Sequence, residues 1–260
     1  MCFPYDAKPP IPPIAGAAID TEDLTLTSSD GNEFAAFLAR ADSPVGPAVV
    51  VLPDVRGLFP FYEELAMRFA ERGYDSIAID YFGRSAGVGK RDRDFEFREH
   101  IDVTTFEGVK TDVAAAVAYL REAPGNGARH VFTIGFCYGG SSSWAQSANG
   151  HGLSGAIGFY GHPTRAGFPQ GAKASVDLVT DFEAPILGLM GGADQGIPRE
   201  EVEKYEAVLQ EASRPHEIVT YDGAPHSFFD RGFEEYAEES ADAWERVLRF
   251  IEHYSTPATA

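Results

Sequence analysis

A cysteine flanked by glycines is the segment of this sequence best suited to chemistry. Residues 135–140 read Gly-Phe-Cys-Tyr-Gly-Gly, with Cys137 two residues after one glycine and two before another. Glycines at these positions permit a tight turn from a strand into a helix, which lifts the central side chain above the sheet. The N-terminus of the helix expected next would favour a thiolate at Cys137. The pattern therefore predicts a nucleophile elbow with a thiol in place of the usual hydroxyl.

Two other interpretations of this segment are a phosphate-binding glycine loop and an inert buried cysteine. The spacing differs from that of a dinucleotide fingerprint and of a P-loop, and the segment follows a strand from the middle of the chain. A lone cysteine is usually a core residue, but that interpretation leaves the flanking glycines unexplained. We expect a catalytic cysteine and keep both alternatives open.

An acid and a histidine that could activate Cys137 follow it in the chain. Asp194 comes after an apolar run and two glycines, and His226 lies in the segment Gly-Ala-Pro-His-Ser-Phe at 223–228. In an α/β fold with a nucleophile elbow, the acid and then the histidine follow the nucleophile, each on a loop after a later strand. We expect His226 to take the thiol proton and Asp194 to fix the tautomer of His226. Either residue alone would be a common turn or surface residue, so this prediction depends on their combined order.

Acyl transfer also needs two donors for the oxyanion that develops in the transition state. The backbone N–H of Tyr138, directly after the nucleophile, is the first candidate. The second is the N–H of Val55, in the loop after the first parallel strand, and Asp54 precedes it at the same strand end. The histidines show no metal-binding spacing and the cysteines are not paired, so we expect neither a metal site nor a cofactor.

The elements that would position these residues alternate between strand and helix. An antiparallel hairpin is expected first, because Leu24–Thr27 and Phe34–Ala39 flank a turn at Asp30-Gly31. Short apolar runs, typical of strands buried on both faces, then alternate with helical patterns. The expected parallel strands are Ala48–Leu52, Ser76–Ile79, His130–Ile134, Gly155–Phe159, Pro185–Met190 and Glu217–Thr220, and the expected helices are Phe61–Arg72, Phe106–Arg121, Ser141–Ala148, Glu200–Ala212 and Ala241–His253. This order predicts a mostly parallel central sheet with helices on both faces and a ligand site at the carboxyl ends of the strands.

Composition and charge exclude several classes of protein. The 260 residues are 44% hydrophobic, enough for a full core, and carry 21 basic against 40 acidic residues, a net charge of -19. Such a surface repels polyanions, so we expect no nucleic-acid binding and no docking on anionic membranes. We expect one α/β domain over residues 21–255 after a proline-rich extension over residues 1–20.

Cysteine usage and the absence of long apolar runs indicate the compartment. Cys2 and Cys137 are the two cysteines of the chain, and no stretch approaches the roughly 20 apolar residues that span a bilayer. We therefore expect a cytoplasmic protein without a signal peptide; the sequence leaves the oligomeric state open, with a monomer favoured. The mixed-charge run Arg91–His100 is expected to be a solvated loop or helix face.

With these residues in place, the sequence resembles the dienelactone hydrolase family, also called carboxymethylenebutenolidases. The resemblance extends from about Gly46 to Phe250 and depends on Gly-Phe-Cys-Tyr-Gly-Gly, on Met-Gly-Gly-Ala-Asp at 190–194 and on Gly-Ala-Pro-His-Ser-Phe. It implies an α/β-hydrolase fold with the triad Cys137, Asp194 and His226. It also implies that a small carboxylated enol lactone, dienelactone, is opened to maleylacetate through an acyl-thioester intermediate.

The resemblance also implies roles for residues around the triad. The family's oxyanion donors fall on the N–H groups of Tyr138 and Val55. A family glutamate that helps to form the thiolate corresponds to Asp54, whose side chain is one methylene shorter. Two arginines that hold the substrate carboxylate fall on Arg84 and on Arg231, which stands one position later than the family pattern.

Two aromatic residues and two alternative functions complete the expectations. Tyr160 and Phe136 lie beside the expected strand ends and are candidate pocket walls. One alternative function is hydrolysis of another small ester, lactone or thioester by the same triad. The other is a non-catalytic relative that binds a ligand or a protein. The sequence feature that favours this alternative is Asp54, which stands where the family has a glutamate.

Overall fold

One central sheet runs through the computed structural model, which describes residues 4–17, 19–122, 130–230 and 234–255. In that part of the chain the strands are β1 Ile19–Thr27, β2 Glu33–Ala41, β3 Pro47–Leu52, β4 Asp75–Ile79, β5 His130–Phe136, β6 Gly155–Phe159, β7 Ile186–Gly191 and β8 His216–Tyr221. The helices are α1 Pro60–Ala70, α2 Gly83–Ala86, α3 Phe97–Ile101, α4 Phe106–Glu122, α5 Tyr138–Gln146, α6 Ser175–Leu178, α7 Arg199–Glu211 and α8 Ala237–Ser255, with a 3-10 turn at Val179–Asp181. The strand order is β1-β2-β4-β3-β5-β6-β7-β8, and β3 to β8 are parallel. The predicted α/β architecture is confirmed.

The first two strands form the predicted antiparallel hairpin. Gly31 in the connecting turn has φ +83°, a left-handed conformation that glycine adopts without strain. β1 begins at Ile19, which pairs with Ala41, five residues before the predicted start. Asp20 to Asp23 are exposed on this edge strand, so hydrophobic periodicity gives no signal for the first residues of β1.

Helices cover both faces of the sheet and bury the inner parallel strands, whereas the edge strand β8 is half-buried to exposed. The predicted apolar run Ala48–Leu52 in β3 has no exposed surface. On β6, a Cβ at Gly155 would meet Phe250 of α8, whereas a Cβ at Gly158 would meet Trp144 of α5. Since these glycines are three positions apart, they face opposite sides of the strand, and so do the two helices. The sheet lies between α8 and α5. Because β3 to β8 are parallel, their carboxyl ends lie at one common edge of the sheet.

The mixed-charge run after β4 differs from its prediction. Arg91, its first residue, is buried, and its guanidinium forms an ion pair with buried Asp80, with 2.7 Å between Arg91 Nη2 and Asp80 Oδ2. The run then leads into the short helix α3, which the sequence did not reveal. An arginine can be buried when its charge is matched, and a charge pattern alone does not show such a partner. From Asp92 to His100 the run is exposed or half-buried and ends in a helix, so only Arg91 departs from the expected solvated loop or helix face.

The N-terminal segment lies against the body of the protein. Ile11 is buried in the core, and the ring of Tyr5 stacks on Phe59 at 6.1 Å between centroids. Cys2 lies outside the described residues, and the domain bounds, cytoplasmic location and monomeric state stay predictions. Within the described ranges, none of the helices has the length and apolar character to cross a bilayer.

Candidate active site

Cys137 occupies a strained turn between β5 and α5. Its φ is +54° and its ψ is −112°, an unusual conformation for a residue with a side chain. The turn is tight enough that a Cβ at Gly140 would lie 2.6 Å from the carbonyl oxygen of Phe159, and a Cβ at Gly135 would overlap the Gly139 carbonyl. The sequence folds this way because glycines stand where the helix must approach the sheet. The result is an elbow that leaves Cys137 half-buried at the N-terminus of α5.

His226 and Asp194 come together at the neighbouring strand ends. The distance from His226 Nδ1 to Asp194 Oδ2 is 2.6 Å, and Asp194 Oδ1 accepts the N–H of Gly196 at 2.8 Å. The two loops are joined by the N–H of Ala193, which donates to the Ala224 carbonyl at 2.9 Å. Asp194 is buried, whereas the His226 side chain is 34% exposed. A carboxylate at Nδ1 fixes the ring and leaves Nε2 for chemistry.

Two cavities meet at Cys137 and His226. The first, of about 600 Å³, continues past Tyr160 and the β7–α7 connection. The second, of about 640 Å³, continues toward α3 and is lined by Asp54 and Arg56 among others. The structure therefore brings Cys137 and His226 to a place where two cavities with otherwise different walls meet.

The backbone donors expected for an oxyanion face the same place. Val55 and Tyr138 line the first cavity, and within the described ranges neither of their N–H groups donates to another protein atom. The Val55 loop is fixed by the hydroxyl of buried Tyr81, which donates to the Pro53 carbonyl at 2.8 Å. Burial raises the pKa of Tyr81 well above its ordinary value, so the phenol keeps the proton that it donates. Both residues thus lie at the cavity of Cys137, and their role as oxyanion donors stays a prediction.

Comparison with known proteins identifies the family. The family model described as the dienelactone hydrolase family matches residues 34–255. The chain belongs to the dienelactone hydrolase family. It is 30% identical to a Salmonella typhimurium protein named "Putative carboxymethylenebutenolidase", with 96% of each chain covered, and 29% identical to the carboxymethylenebutenolidase of Rhodococcus opacus over the full length of both. Membership makes the protein a hydrolase that acts on small esters or lactones, as predicted.

A solved structure in the family has the same fold. The crystal structure described as a dienelactone hydrolase from Klebsiella pneumoniae, with its assignment marked "Putative", superposes with a TM-score of 0.78 at 29% sequence identity. The match covers 90% of this chain and 99% of that one. The relatives therefore share the whole α/β body of this dienelactone hydrolase family member.

Tyr160 is a buried residue in the wall of the first cavity, and its contact with a substrate stays a prediction. Its φ is +38°, and its ring lies 4.9 Å from the His226 ring between centroids. The Tyr160 hydroxyl donates to Asp230 Oδ2 at 2.7 Å, and burial raises the pKa of the phenol well above its ordinary value. A neutral phenol bonded to a buried carboxylate has a fixed position. Tyr160 thus forms a rigid wall behind the imidazole.

The Asp54 carboxylate pairs with an arginine. Arg56 Nη2 lies 2.8 Å from Asp54 Oδ2, and the Arg56 N–H donates to Asp54 Oδ1 at 2.8 Å. Asp54 is buried and shares the second cavity with Cys137. Contact between this carboxylate and the thiol stays a prediction.

The structure corrects two predicted substrate-binding residues. Arg84 does not line either cavity at Cys137; its guanidinium binds Asp30 and Asp112, with 2.6 Å from Arg84 Nη1 to Asp112 Oδ2. Phe136 lies in the core, fully buried, and stacks on Phe159 at 4.7 Å, because the last residue of β5 points under the elbow. Arg231 lies outside the described residues.

Sequence reasoning missed the arginine that does lie at the junction. Arg165 lines both cavities, and its guanidinium lies 4.5 Å from the Phe168 ring centroid. In the part of the chain that the structure describes, Arg165 is exposed and has no acidic partner. Arg165 lies on the loop after the carboxyl end of the parallel strand β6, where ligand-binding residues are expected, and this position could have predicted it. No cluster of three metal-binding side chains occurs among the described residues.

Proposed function

We propose that the protein opens a small carboxylated enol lactone, of the dienelactone type, through an acyl-thioester on Cys137. The observation that carries this proposal is the position of the sulfur-bearing residue. Cys137 occupies the elbow at the N-terminus of α5 and shares a cavity with an imidazole that a carboxylate holds. A half-buried thiol in such a place has the surroundings of a nucleophile rather than of a core residue.

The reaction uses five groups of this chain: the Cys137 sulfur, the N–H groups of Tyr138 and Val55, the His226 imidazole and the Asp194 carboxylate. The Cys137 thiol gives its proton to His226, the sulfur attacks the ring carbonyl to form a C–S bond, and the carbonyl electron pair moves to oxygen. The N–H groups of Tyr138 and Val55 stabilise this oxyanion, and each such donor is worth roughly 10²- to 10³-fold in kcat. Collapse then breaks the ring C–O bond, and the enol oxygen leaves with the electron pair and takes the proton from His226, which becomes neutral again.

Water completes the cycle by hydrolysing the thioester. His226 Nε2 accepts a proton from water, the resulting hydroxide attacks the thioester carbonyl, and the sulfur leaves as thiolate. Asp194 holds the ring in the tautomer that this step requires. An enol oxygen is a better leaving group than an alkoxide, so we expect simple alkyl esters to react slowly.

Arg165 supports an anionic substrate. Arg165 is exposed at the junction of the two cavities and has no acidic partner among the described residues, so in this acidic protein it creates a local positive charge. Guanidinium groups bind carboxylates through charge-assisted hydrogen bonds. We assign to Arg165 the contact with the substrate carboxylate that the resemblance had placed on Arg84.

Hydrolysis of an open-chain ester or thioester by the same residues is the second candidate function. The two cavities, of about 600 and 640 Å³, extend in different directions from Cys137. An ester has groups on both sides of its carbonyl, so each cavity could hold one of them, whereas a small lactone needs less space. Comparing an enol lactone with open-chain esters of equal leaving-group acidity separates the two candidates.

Asp54 is proposed to assist thiolate formation after its pair with Arg56 opens. In the present arrangement Arg56 occupies the carboxylate. Asp54→Asn should then slow alkylation of Cys137 by iodoacetamide in the presence of a lactone analogue. Equal alkylation rates in Asp54→Asn and wild type would remove this role.

Substitution of the nucleophile tests the proposed function. Cys137→Ala should lose lactone turnover by at least about 10³-fold, whereas Cys2→Ala, the matched control, should retain it. In the wild type, 4-nitrophenyl acetate should release one equivalent of nitrophenolate in a burst that iodoacetamide blocks. Full turnover by Cys137→Ala would refute the assignment, and a wild type without burst or turnover would instead favour the non-catalytic alternative.

A second substitution tests the carboxylate contact. Arg165→Gln should lower kcat/KM for a carboxylated lactone by roughly tenfold or more and leave an uncarboxylated lactone unaffected. Arg72→Gln, at an exposed arginine that lines neither cavity, is the control. An equal loss on both lactones would show that Arg165 supports the loop rather than the substrate.

A further inference from the structure

A second histidine lines the catalytic cavity, and the mechanism above does not use it. His162 follows Tyr160 by two residues on the loop after β6 and lines the 600 Å³ cavity together with Cys137. Its N–H donates to Ser141 Oγ at 2.7 Å, and the Ser141 N–H donates in turn to the Cys137 carbonyl at 3.3 Å. The backbone of His162 is therefore fixed to the helix that carries the nucleophile.

A glutamate holds one edge of the His162 ring. His162 Nδ1 lies 3.3 Å from Glu201 Oε2, an ion-pair contact whose alignment falls short of a hydrogen bond. The Thr164 hydroxyl donates to the same glutamate oxygen. The two nitrogens of an imidazole lie on opposite edges of the ring, so the Nδ1 edge faces α7 and the Nε2 edge is left for the cavity. Because the side chain is 26% exposed and lines the cavity, it is not a core histidine.

The same chain segment supplies the carboxylates for both histidines. Asp194 follows β7, and Glu201 lies in the first turn of α7, seven residues later. Each carboxylate contacts the Nδ1 atom of one imidazole, and both imidazoles line one cavity. The proposed reaction assigns a proton transfer to His226 alone. His162 has a carboxylate at the same ring nitrogen, at the longer distance of 3.3 Å, and no assigned role.

The charge around His162 indicates what it would contact. Arg165, three residues later on the same loop, adds an unpaired positive charge to this cavity within the described ranges. Nδ1 lies beside the Glu201 carboxylate, so a ring with protons on both nitrogens would have its charge balanced on that side and would donate from Nε2 on the other. An imidazolium and a guanidinium on one short loop present donors to the same anionic group.

We propose that His162 is a specificity-determining residue that binds an anionic substituent of the substrate through Nε2–H, next to Arg165. Glu201 is the positioning residue that orients the ring. This inference depends on the proposed function, since it concerns the substrate of the same site. It extends that function by defining the arm of the cavity, between the β6 loop and α7, in which the anionic part of the ester or lactone lies.

Paired esters that differ by one carboxylate test the inference. The probes are 4-nitrophenyl hydrogen adipate against 4-nitrophenyl hexanoate, and the acetate ester of 4-hydroxybenzoate against phenyl acetate. One pair carries the charge on the acyl side and the other on the leaving-group side. His162→Gln should lower the ratio of kcat/KM for the anionic over the neutral member by about 10- to 100-fold in at least one pair, mainly through KM.

Matched variants separate binding from structure. Glu201→Gln should lower the same ratio by a smaller factor, whereas Glu200→Gln, its exposed neighbour, and His253→Gln, an exposed histidine on α8, should leave it unchanged. An unchanged ratio in both pairs, or an equal loss on charged and neutral esters, would overturn the inference. If His162→Gln does not fold in a thermal melt, Glu201→Gln alone decides the outcome. Failure of the proposed function is a separate result, since it appears as full ester turnover in Cys137→Ala.

Discussion

Replacement of Asp80 by asparagine is expected to destabilise the protein strongly although Asp80 lies outside the proposed chemistry. The carboxylate has no exposed surface and accepts four hydrogen bonds. Oδ1 accepts the Leu58 N–H at 3.1 Å and Arg91 Nε at 3.1 Å; Oδ2 accepts the Phe82 N–H at 2.7 Å and Arg91 Nη2 at 2.7 Å. One carboxylate thus joins the β3–α1 loop, the end of β4 and the charged run.

The magnitude follows from what an amide leaves unsatisfied. Asparagine keeps one acceptor oxygen and places an NH₂ group against two of the four donors. It also removes the charge that balances Arg91, which is 7% exposed. Removal of one partner of a buried ion pair costs about 3–5 kcal/mol, because the other charge stays buried. We therefore expect Asp80→Asn to lower the free energy of unfolding by about 3–5 kcal/mol.

Urea unfolding at neutral pH, followed by tryptophan fluorescence and circular dichroism, measures this loss. Asp20→Asn is the control, since Asp20 is exposed on the edge strand β1 and the same substitution there should change stability by less than about 0.5 kcal/mol. A loss below about 1 kcal/mol in Asp80→Asn would refute the reasoning, because it would mean that Arg91 finds water or another partner without cost.

Three further predictions concern the site and the pH range of stability. Gly139→Ala should lower kcat, measured in steady-state kinetics, about 100-fold. Its Cβ would lie 2.8 Å from the Leu52 carbonyl carbon and would push away the loop with the second oxyanion donor. Gly89→Ala is the control, because its Cβ would meet only a side chain at 3.9 Å. Burial lowers the pKa of His151 to about 4, so the unfolded chain binds the extra proton between about pH 6.5 and pH 4 and stability falls as pH drops through that window. Urea titrations at pH 7 and pH 4.5 measure how much unfolding free energy is lost on acidification. This loss should be smaller by roughly 2–3 kcal/mol in His151→Gln than in wild type, and the loss in His253→Gln should equal that of wild type. Arg84→Gln should lower the midpoint of urea unfolding without changing the kcat/KM ratio of carboxylated over uncarboxylated lactones; a changed ratio would return Arg84 to the substrate site.

The sequence was most informative where a backbone conformation requires particular residues. The elbow at Cys137 needs glycines around it, and the loops with Asp194 and His226 follow apolar strands whose ends meet at one edge of a parallel sheet. Topology then determines that these loops are neighbours, so order along the chain was enough to place them together. The start of α5 at Tyr138 rather than at Ser141 shows the limit of this reasoning, since glycines within a helix hide its first turn.

Side-chain direction and pairing could not be predicted in the same way. Phe136 differs from Cys137 by one position, yet it enters the core because successive residues point to opposite sides. Arg84 turns away from the site because Asp30 and Asp112 attract it from distant parts of the chain. Arg165 has no motif around it, and only the folded loop brings it to the cavities. Contacts between residues far apart in sequence decide all three cases.

The pairing of Asp54 changes what must stabilise a thiolate at Cys137. Because the Arg56 guanidinium and the Arg56 N–H already occupy the Asp54 carboxylate, this acid can take the thiol proton only after the ion pair opens. The N-terminus of α5 remains as a stabilising group, and it favours a thiolate without any movement of the chain. We therefore expect Asp54→Asn to affect the substrate-dependent rate of alkylation more than the rate in the protein without ligand. An equal effect on both rates would mean that Asp54 acts through the shape of the Val55 loop rather than through its charge.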